Sequence, residues 1–293
     1  MPIYKNYDQA ALDDQYNNRA KVPEFEAIVQ GWRDDSERVR QQLDGEVGVA
    51  YGPNEREYLD IFPAAQPDSP VHIFFHGGYW HSLDTSLFDF VAAGFVEHGV
   101  TTVLVNYPLT PLVRMDKLIA ACRRAMIWLY RHIANYNGDP QQLYISGHSA
   151  GGHIVAMLMA TMWREGADDV PEQLVKGGCA ISGLFNLRPI QLSYVNDSIG
   201  MDEVTARRNS PVFMTPTTRR PLIVAVGGAE SEEYKAQSQE LAAAWSGQLA
   251  LTELTVAGAN HFTVVDSLVN AGTGLHRAIL AQMKGEGTGT FIV

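Results

Sequence analysis

The sequence predicts an α/β fold, with a mainly parallel sheet covered by helices on both faces. Three observations predict it. Strand-length runs such as VHIFF and VTTVLVNY alternate along the chain with segments whose apolar residues recur at helical spacing. These runs are apolar almost throughout, as strands buried on both faces are. With 293 residues, 46% hydrophobic and 19% charged, the chain is long enough and apolar enough to bury a large core.

The elements justify this reading in order. Residues 1–45 form an N-terminal extension: an irregular lead, then a polar amphipathic helix from Glu24 to Gln42 whose aromatic residues predict packing against the body. EREYLDIFP alternates Tyr58 and Asp60 with Leu59 and Ile61, which predicts a half-buried strand near a sheet edge. VHIFFHGG is a buried strand running into a glycine turn, and VTTVLVNY suits an interior strand. After the punctuation of Pro111, Leu118, Cys122, Ala125 and Leu129 mark a helix. QQLYIS is a strand, and HIVAMLMATMW follows as a helix with almost no polar face, hence buried. KGGCAISG and RPLIVAVGG supply two more strands, the second followed by a helix from Ser231 to Trp245. LALTELTVA and a helix after His261 complete the series. No linker, repeat or low-complexity tract divides the chain, so one domain over 1–293 is expected.

Composition narrows the partners. A formal charge of −11 without a Lys/Arg cluster argues against nucleic acid or an anionic membrane, because phosphate recognition needs dense positive charge. A small-molecule substrate remains, and a homodimer is left open. Cys122 and Cys179 lie in a helical and a strand pattern and read as buried reduced thiols. No apolar run is long enough to span a bilayer, and MPIYKNYDQAALDDQ lacks the apolar core of a secretory signal, so a cytoplasmic location is expected.

In sheets of this kind ligands sit at the carboxyl ends of the strands, so candidate catalytic residues should fall just after strands. Gly147 to Gly151, GHSAG, does so, between QQLYIS and the apolar helix. The glycines permit a tight turn that lifts the Ser149 hydroxyl to the sheet edge as a nucleophile, although a serine N-cap would read the same way. A serine hydroxyl needs a base held by a third group, and on this topology the acid precedes the base. His261, in the loop after the last strand, is the candidate base, and Glu230, after the preceding strand, the candidate acid. Glu230 also suits a helix start, where negative charge is favoured. Glu232 and Glu233 compete with it, and Asp202 and Glu203 more remotely. In HGGYW, His76 to Trp80, the glycine pair lets the N–H groups of Gly77 and Gly78 approach a substrate oxygen, alongside that of Ala150. His76 reads as shaping that loop and His148 as the neighbour of the nucleophile. No metal is expected: there is no HExxH, and His148 and His153 on a helix would diverge by about 140°.

With these motifs in place the sequence resembles the α/β-hydrolase fold, in the HGG-bearing esterase branch related to hormone-sensitive lipase. It is most similar there to the arylformamidase (kynurenine formamidase) family. The resemblance rests on HGGYW, on GHSAG, and on the segment from Ile181 to Pro211, ISGLFNLRPI through NDSIGMDEVTARRNSP. LDDQYNNRA and YGPNEREYLDIFPA extend it to nearly the whole chain. The resemblance implies a sheet of about eight strands, a triad of Ser149, Glu230 and His261, hydrolysis of N-formyl-L-kynurenine to L-kynurenine and formate through a formyl-serine, and no cofactor. The family commonly has Asp where this chain has Glu230. A carboxylesterase acting on small esters would share every catalytic residue, and a ligand-binding protein on a retired scaffold would be expected to break the triad. Leu184 to Thr217 is long for a plain connection and predicts a small cap. Its Phe185 and Tyr194, with Tyr79 and Trp80, are candidates for binding an aryl group, packing the cap being the plainer use of such residues.

Overall fold

The computed structural model describes residues 1–286, so 287–293 of the expected domain lie outside the described residues. Its centre is a sheet of eight strands: β1 (Glu46–Ala50), β2 (Tyr58–Phe62), β3 (Ser69–Phe75), β4 (Thr101–Val105), β5 (Gly138–His148), β6 (Val175–Ile181), β7 (Leu222–Gly227) and β8 (Leu251–Val256). They lie in the order β1-β2-β4-β3-β5-β6-β7-β8. The β1–β2 and β2–β4 pairs are antiparallel, and the remaining pairs are parallel.

The helices are α1 (Gln9–Tyr16), α2 (Asn18–Lys21), α3 (Phe25–Gln42), α4 (Ala93–Val96), α5 (Met115–His132), α6 (Ala150–Met159), α7 (Arg188–Leu192), α8 (Asn196–Ile199), α9 (Glu203–Arg208), α10 (Glu232–Trp245) and α11 (Gly274–Met283). The sheet has a core on each face. Ile73, Phe75, Val103 and Val105 point into the core shared with α5, α6 and α10. Phe74 and Leu104, one residue out of phase, point into the core shared with α3 and α11. Every residue of α6 is buried, as a helix without a polar face must be.

Two local features differ from the sequence reading. β1 has no counterpart there, because it is largely exposed and lacks an alternating pattern. β2 is second from the edge and more buried than half, since β1 covers its outer side. Asp60 is tolerated inside it by accepting the N–H of Gly48 at 2.8 Å, where β1 departs from regular register. The segment from Leu184 to Thr217 holds α7, α8 and α9, and it docks on α1: Asp13 accepts the N–H of Tyr194 at 2.8 Å, and Gln9 donates to the Leu192 carbonyl at 2.9 Å.

Candidate active site

Ser149 occupies the single residue between the end of β5 and the start of α6, with φ 57° and ψ −117°. That backbone is unfavourable for any side chain and persists only where the surroundings impose it. Here the imposing contacts are close. A Cβ at Gly151 would fall 1.9 Å from the carbonyl oxygen of Phe75, and one at Gly147 would fall 2.4 Å from that of Gly151. Only glycine lets β5 turn into α6 against the end of β3. The Ser149 N–H is tied down by donating to the Ile181 carbonyl at 2.8 Å.

The loop after β7 folds Glu230 back towards its own strand. Its Oε1 accepts the Gly227 N–H at 2.7 Å and the Ser182 hydroxyl, while Oε2 faces His261 Nδ1 at 2.6 Å. Three partners thus meet its two oxygens, on a side chain with no solvent exposure. Since Nδ1–H is directed at Glu230, the proton-accepting nitrogen of a neutral His261 is Nε2. The His261 ring packs 4.4 Å from Tyr234 and 4.7 Å from His148. His148 donates its Nε2–H to the His261 carbonyl at 2.7 Å, and burial holds its ring well below the usual imidazole range, hence neutral.

The competing carboxylates are engaged elsewhere. Glu233 pairs with Lys5 at 3.2 Å, and Glu232 pairs with Lys235 at 3.0 Å. Asp202 caps α9, and Glu203 faces Arg188 at 3.2 Å. Glu230 is the carboxylate that meets His261.

Ser149 and His261 border one cavity, but no hydrogen bond joins their side chains among the described residues. The Ser149 side chain lies near the phenol of Tyr234. Tyr234 accepts from Asn18 Nδ2 at 2.9 Å and meets the Tyr79 hydroxyl at 2.7 Å, and Tyr79 donates to the Tyr16 carbonyl at 2.7 Å. Sequence reasoning missed this hydroxyl cluster, because its members come from α1, α2, the HGG loop and α10.

The HGG loop closes the site from the β3 side. Gly78 has φ +105°, and a Cβ there would fall 2.3 Å from the Ser82 carbonyl oxygen. A Cβ at Gly77 would lie 3.2 Å from that of Ser149, so the loop backbone runs against that side chain. No hydrogen bond among the described residues uses the N–H of Gly77, Gly78 or Ala150. His76 shapes the loop as expected, stacking 4.3 Å from Tyr107 while the Tyr107 hydroxyl donates to its carbonyl at 2.7 Å.

The cavity encloses about 330 Å³. Of the four aromatic candidates, Tyr79 and Tyr194 line it, and Trp80 and Phe185 do not. Trp80 is fully buried on the other side of the loop, its Nε1–H donating to His153 Nδ1 at 3.2 Å. The backbone turns back at Tyr79 and Trp80, φ 47° and 60°, and the two rings part company there. Phe185 is buried against Gly183. The wall that the sequence left unassigned is N-terminal: Tyr16, Asn18 and Arg19, then Phe25, Val29 and Trp32 of α3. The last three recur at i, i+4 and i+7, so they mark one helix face, but that spacing does not reveal what the face covers.

Among the described residues no group of three or more His, Cys, Asp or Glu side chains could hold a metal ion, and no helix is long and apolar enough to cross a membrane. Cys122 and Cys179 are unpaired and buried.

Comparison with known proteins finds relatives along nearly the whole chain. The BD-FAE family model matches residues 59–245. Kynurenine formamidase of Danio rerio is 31% identical over 297 residues, spanning 97% of this chain and 99% of that protein. Kynurenine formamidase of Salmo salar is 31% identical, spanning 92% of each. A solved Silicibacter sp. protein carrying a thioesterase assignment superposes with a TM-score of 0.82 at 27% identity, over 92% of this chain and 99% of that one. Esterase B of Lactobacillus rhamnosis, at 16% identity and a TM-score of 0.69 over 93% and 97%, shares the fold. The chain is therefore an α/β-hydrolase enzyme that belongs to the BD-FAE family and, within that fold, to the kynurenine formamidases it matches along nearly its whole length.

Proposed function

We propose that this enzyme is a serine hydrolase that cleaves an aryl formamide, with N-formyl-L-kynurenine as the substrate best supported by its relatives. The observation that carries the reading is the buried 2.6 Å contact of His261 with Glu230, at the wall of the cavity that Ser149 also borders. The Ser149 hydroxyl turns to His261 Nε2 as substrate enters; catalytic hydrogen bonds in empty sites often form only in the complex. Ser149 Oγ then attacks the formyl carbon while His261 takes its proton. The negative oxygen of the tetrahedral intermediate is received by the unused N–H groups of Gly77, Gly78 and Ala150, a kind of stabilisation worth about 3 kcal/mol per donor. Glu230 holds the His261 tautomer and stabilises its imidazolium form. His261 returns the proton to the departing arylamine nitrogen, the C–N bond breaks, and a formyl ester of Ser149 remains. Water, deprotonated by the same imidazole, releases formate.

A second reading, a carboxylesterase for aryl or small acyl esters, is favoured by the esterases among the fold neighbours and uses the same residues. The purified protein offered N-formyl-L-kynurenine and a series of aryl esters separates the two. A higher kcat/KM on the formamide is expected, and turnover of the esters alone would transfer the assignment to the second reading.

A further inference from the structure

The cavity over Ser149 is walled mainly by aromatic and aliphatic side chains, and Arg19 is the only Lys, Arg, Asp or Glu among its lining residues. His81 and His148 also line it, and burial pushes both below the usual imidazole range, so neither supplies a stable positive charge at neutral pH. Arg19 sits at the mouth. Its side chain is 68% exposed, its guanidinium lies 4.6 Å over the Phe25 ring, and it pairs with Glu26, itself 75% exposed. Ser149, at the floor, is buried. The site therefore has a reacting end, an apolar middle and one cationic end.

The protein around it carries a net charge of −11, which repels anions approaching from solution. A lone guanidinium held at the rim offsets that repulsion locally and presents a planar fork that fits a carboxylate. Its present partner is no obstacle, because a solvent-exposed ion pair contributes little net stability and exchanges readily.

We propose that Arg19 selects aryl substrates bearing a carboxylate remote from the scissile carbonyl, exchanging Glu26 for that carboxylate while the aryl group lies on the aromatic wall. The proposal rests on the serine-hydrolase reading of Ser149 and deepens it to a substrate class, acidic aryl formamides and acidic aryl esters.

The test compares matched substrates with and without the carboxylate. One pair is N-formyl-L-kynurenine and its decarboxylated amine; the other is acetoxyphenylpropanoate and the corresponding neutral propanamide. The measured quantity is the ratio of kcat/KM between acidic and neutral members, in which any general damage to a variant cancels. Arg19→Gln is expected to lower this ratio about tenfold in both pairs, chiefly through KM of the acidic member. Arg19→Lys restores part of it, and Glu26→Gln, which frees the guanidinium, raises it about twofold to threefold. A ratio unchanged in Arg19→Gln would overturn the proposal, even if both members were turned over more slowly. Should the wild-type protein cleave the ester pair and neither formamide, the formamidase assignment fails while the ester ratio still decides the role of Arg19.

Discussion

His148 donates its Nε2–H to the backbone oxygen of His261 at 2.7 Å, so the residue beside Ser149 anchors the loop that carries the proposed base. Its Nδ1 lies 3.2 Å from where a Cβ on Gly77 would stand, so the same ring also supports the HGG loop. Replacing His148 with Ala removes the donor from a buried carbonyl and loosens two loops at once. A fall in kcat of about 10-fold to 100-fold with little change in KM is expected, because positioning is lost more than binding. Steady-state kinetics on an aryl ester gives the answer.

Ser149→Ala and His261→Ala are each expected to lower kcat by at least about 10⁴-fold, since members of such a unit fail together. Both side chains border a cavity, so the folds should survive. Near-normal turnover by either variant, with a melting temperature like that of the parent, would refute the proposed mechanism.

Glu230→Gln keeps the size of the side chain and removes its charge. It should cost about 10³-fold to 10⁴-fold in kcat, because an amide no longer fixes the imidazole tautomer or stabilises its cation. Glu230→Asp retains the charge but draws it back from a pocket built around the longer chain, where Oε1 meets Gly227 N–H at 2.7 Å and Oε2 meets His261 at 2.6 Å. A smaller loss is expected for Asp than for Gln. The reverse order in kcat would mean that geometry outweighs charge at this position.

Several buried histidines make the fold sensitive to acid. Burial holds His72 down to about 3, and His76 and His153 down to about 4. Unfolding lets each ring take up a proton that the folded protein refuses, starting near the unfolded value of about 6.5. Their contribution is intact above that pH and is lost as the pH falls towards 4. Each ring removes about 1.4 kcal/mol per pH unit within that window. Urea unfolding at pH 7.5, 6.0 and 5.0 should show stability dropping at each step, and His153→Gln should flatten the dependence.

Trp80 is buried on the core side of the HGG loop and not in the cavity. Trp80→Ala should therefore cost about 3–5 kcal/mol of stability by opening a void. It should change the preference among aryl substrates little. Denaturant titration beside a substrate panel separates the outcomes, and a specificity change at unaltered stability would return Trp80 to the substrate side.

Much of the candidate site was legible because each part is written locally. GHSAG and HGG carry the glycines their turns require, and His261 and Glu230 follow strands that the apolar runs already marked. The turn explains why Glu230, and not Glu232 or Glu233, meets His261: it alone sits where the chain bends back to Gly227 and Ser182. What escaped was non-local. The spacing of Phe25, Val29 and Trp32 gave α3 a buried face without saying that it covers Ser149. The alternation that would have revealed β1 is missing, because that strand is exposed at the edge. For Trp80 and Phe185, which side of a loop a ring occupies depends on backbone turns that composition does not record.

The cavity draws one wall from residues 16–32 and its base from position 261. A ribosome releases that wall well before the imidazole. A nascent polypeptide stalled before β8 would hold Ser149 and the cavity wall but not His261. Such incomplete chains should be hydrolytically silent, and cleavage would begin only once the two segments had met across the sheet.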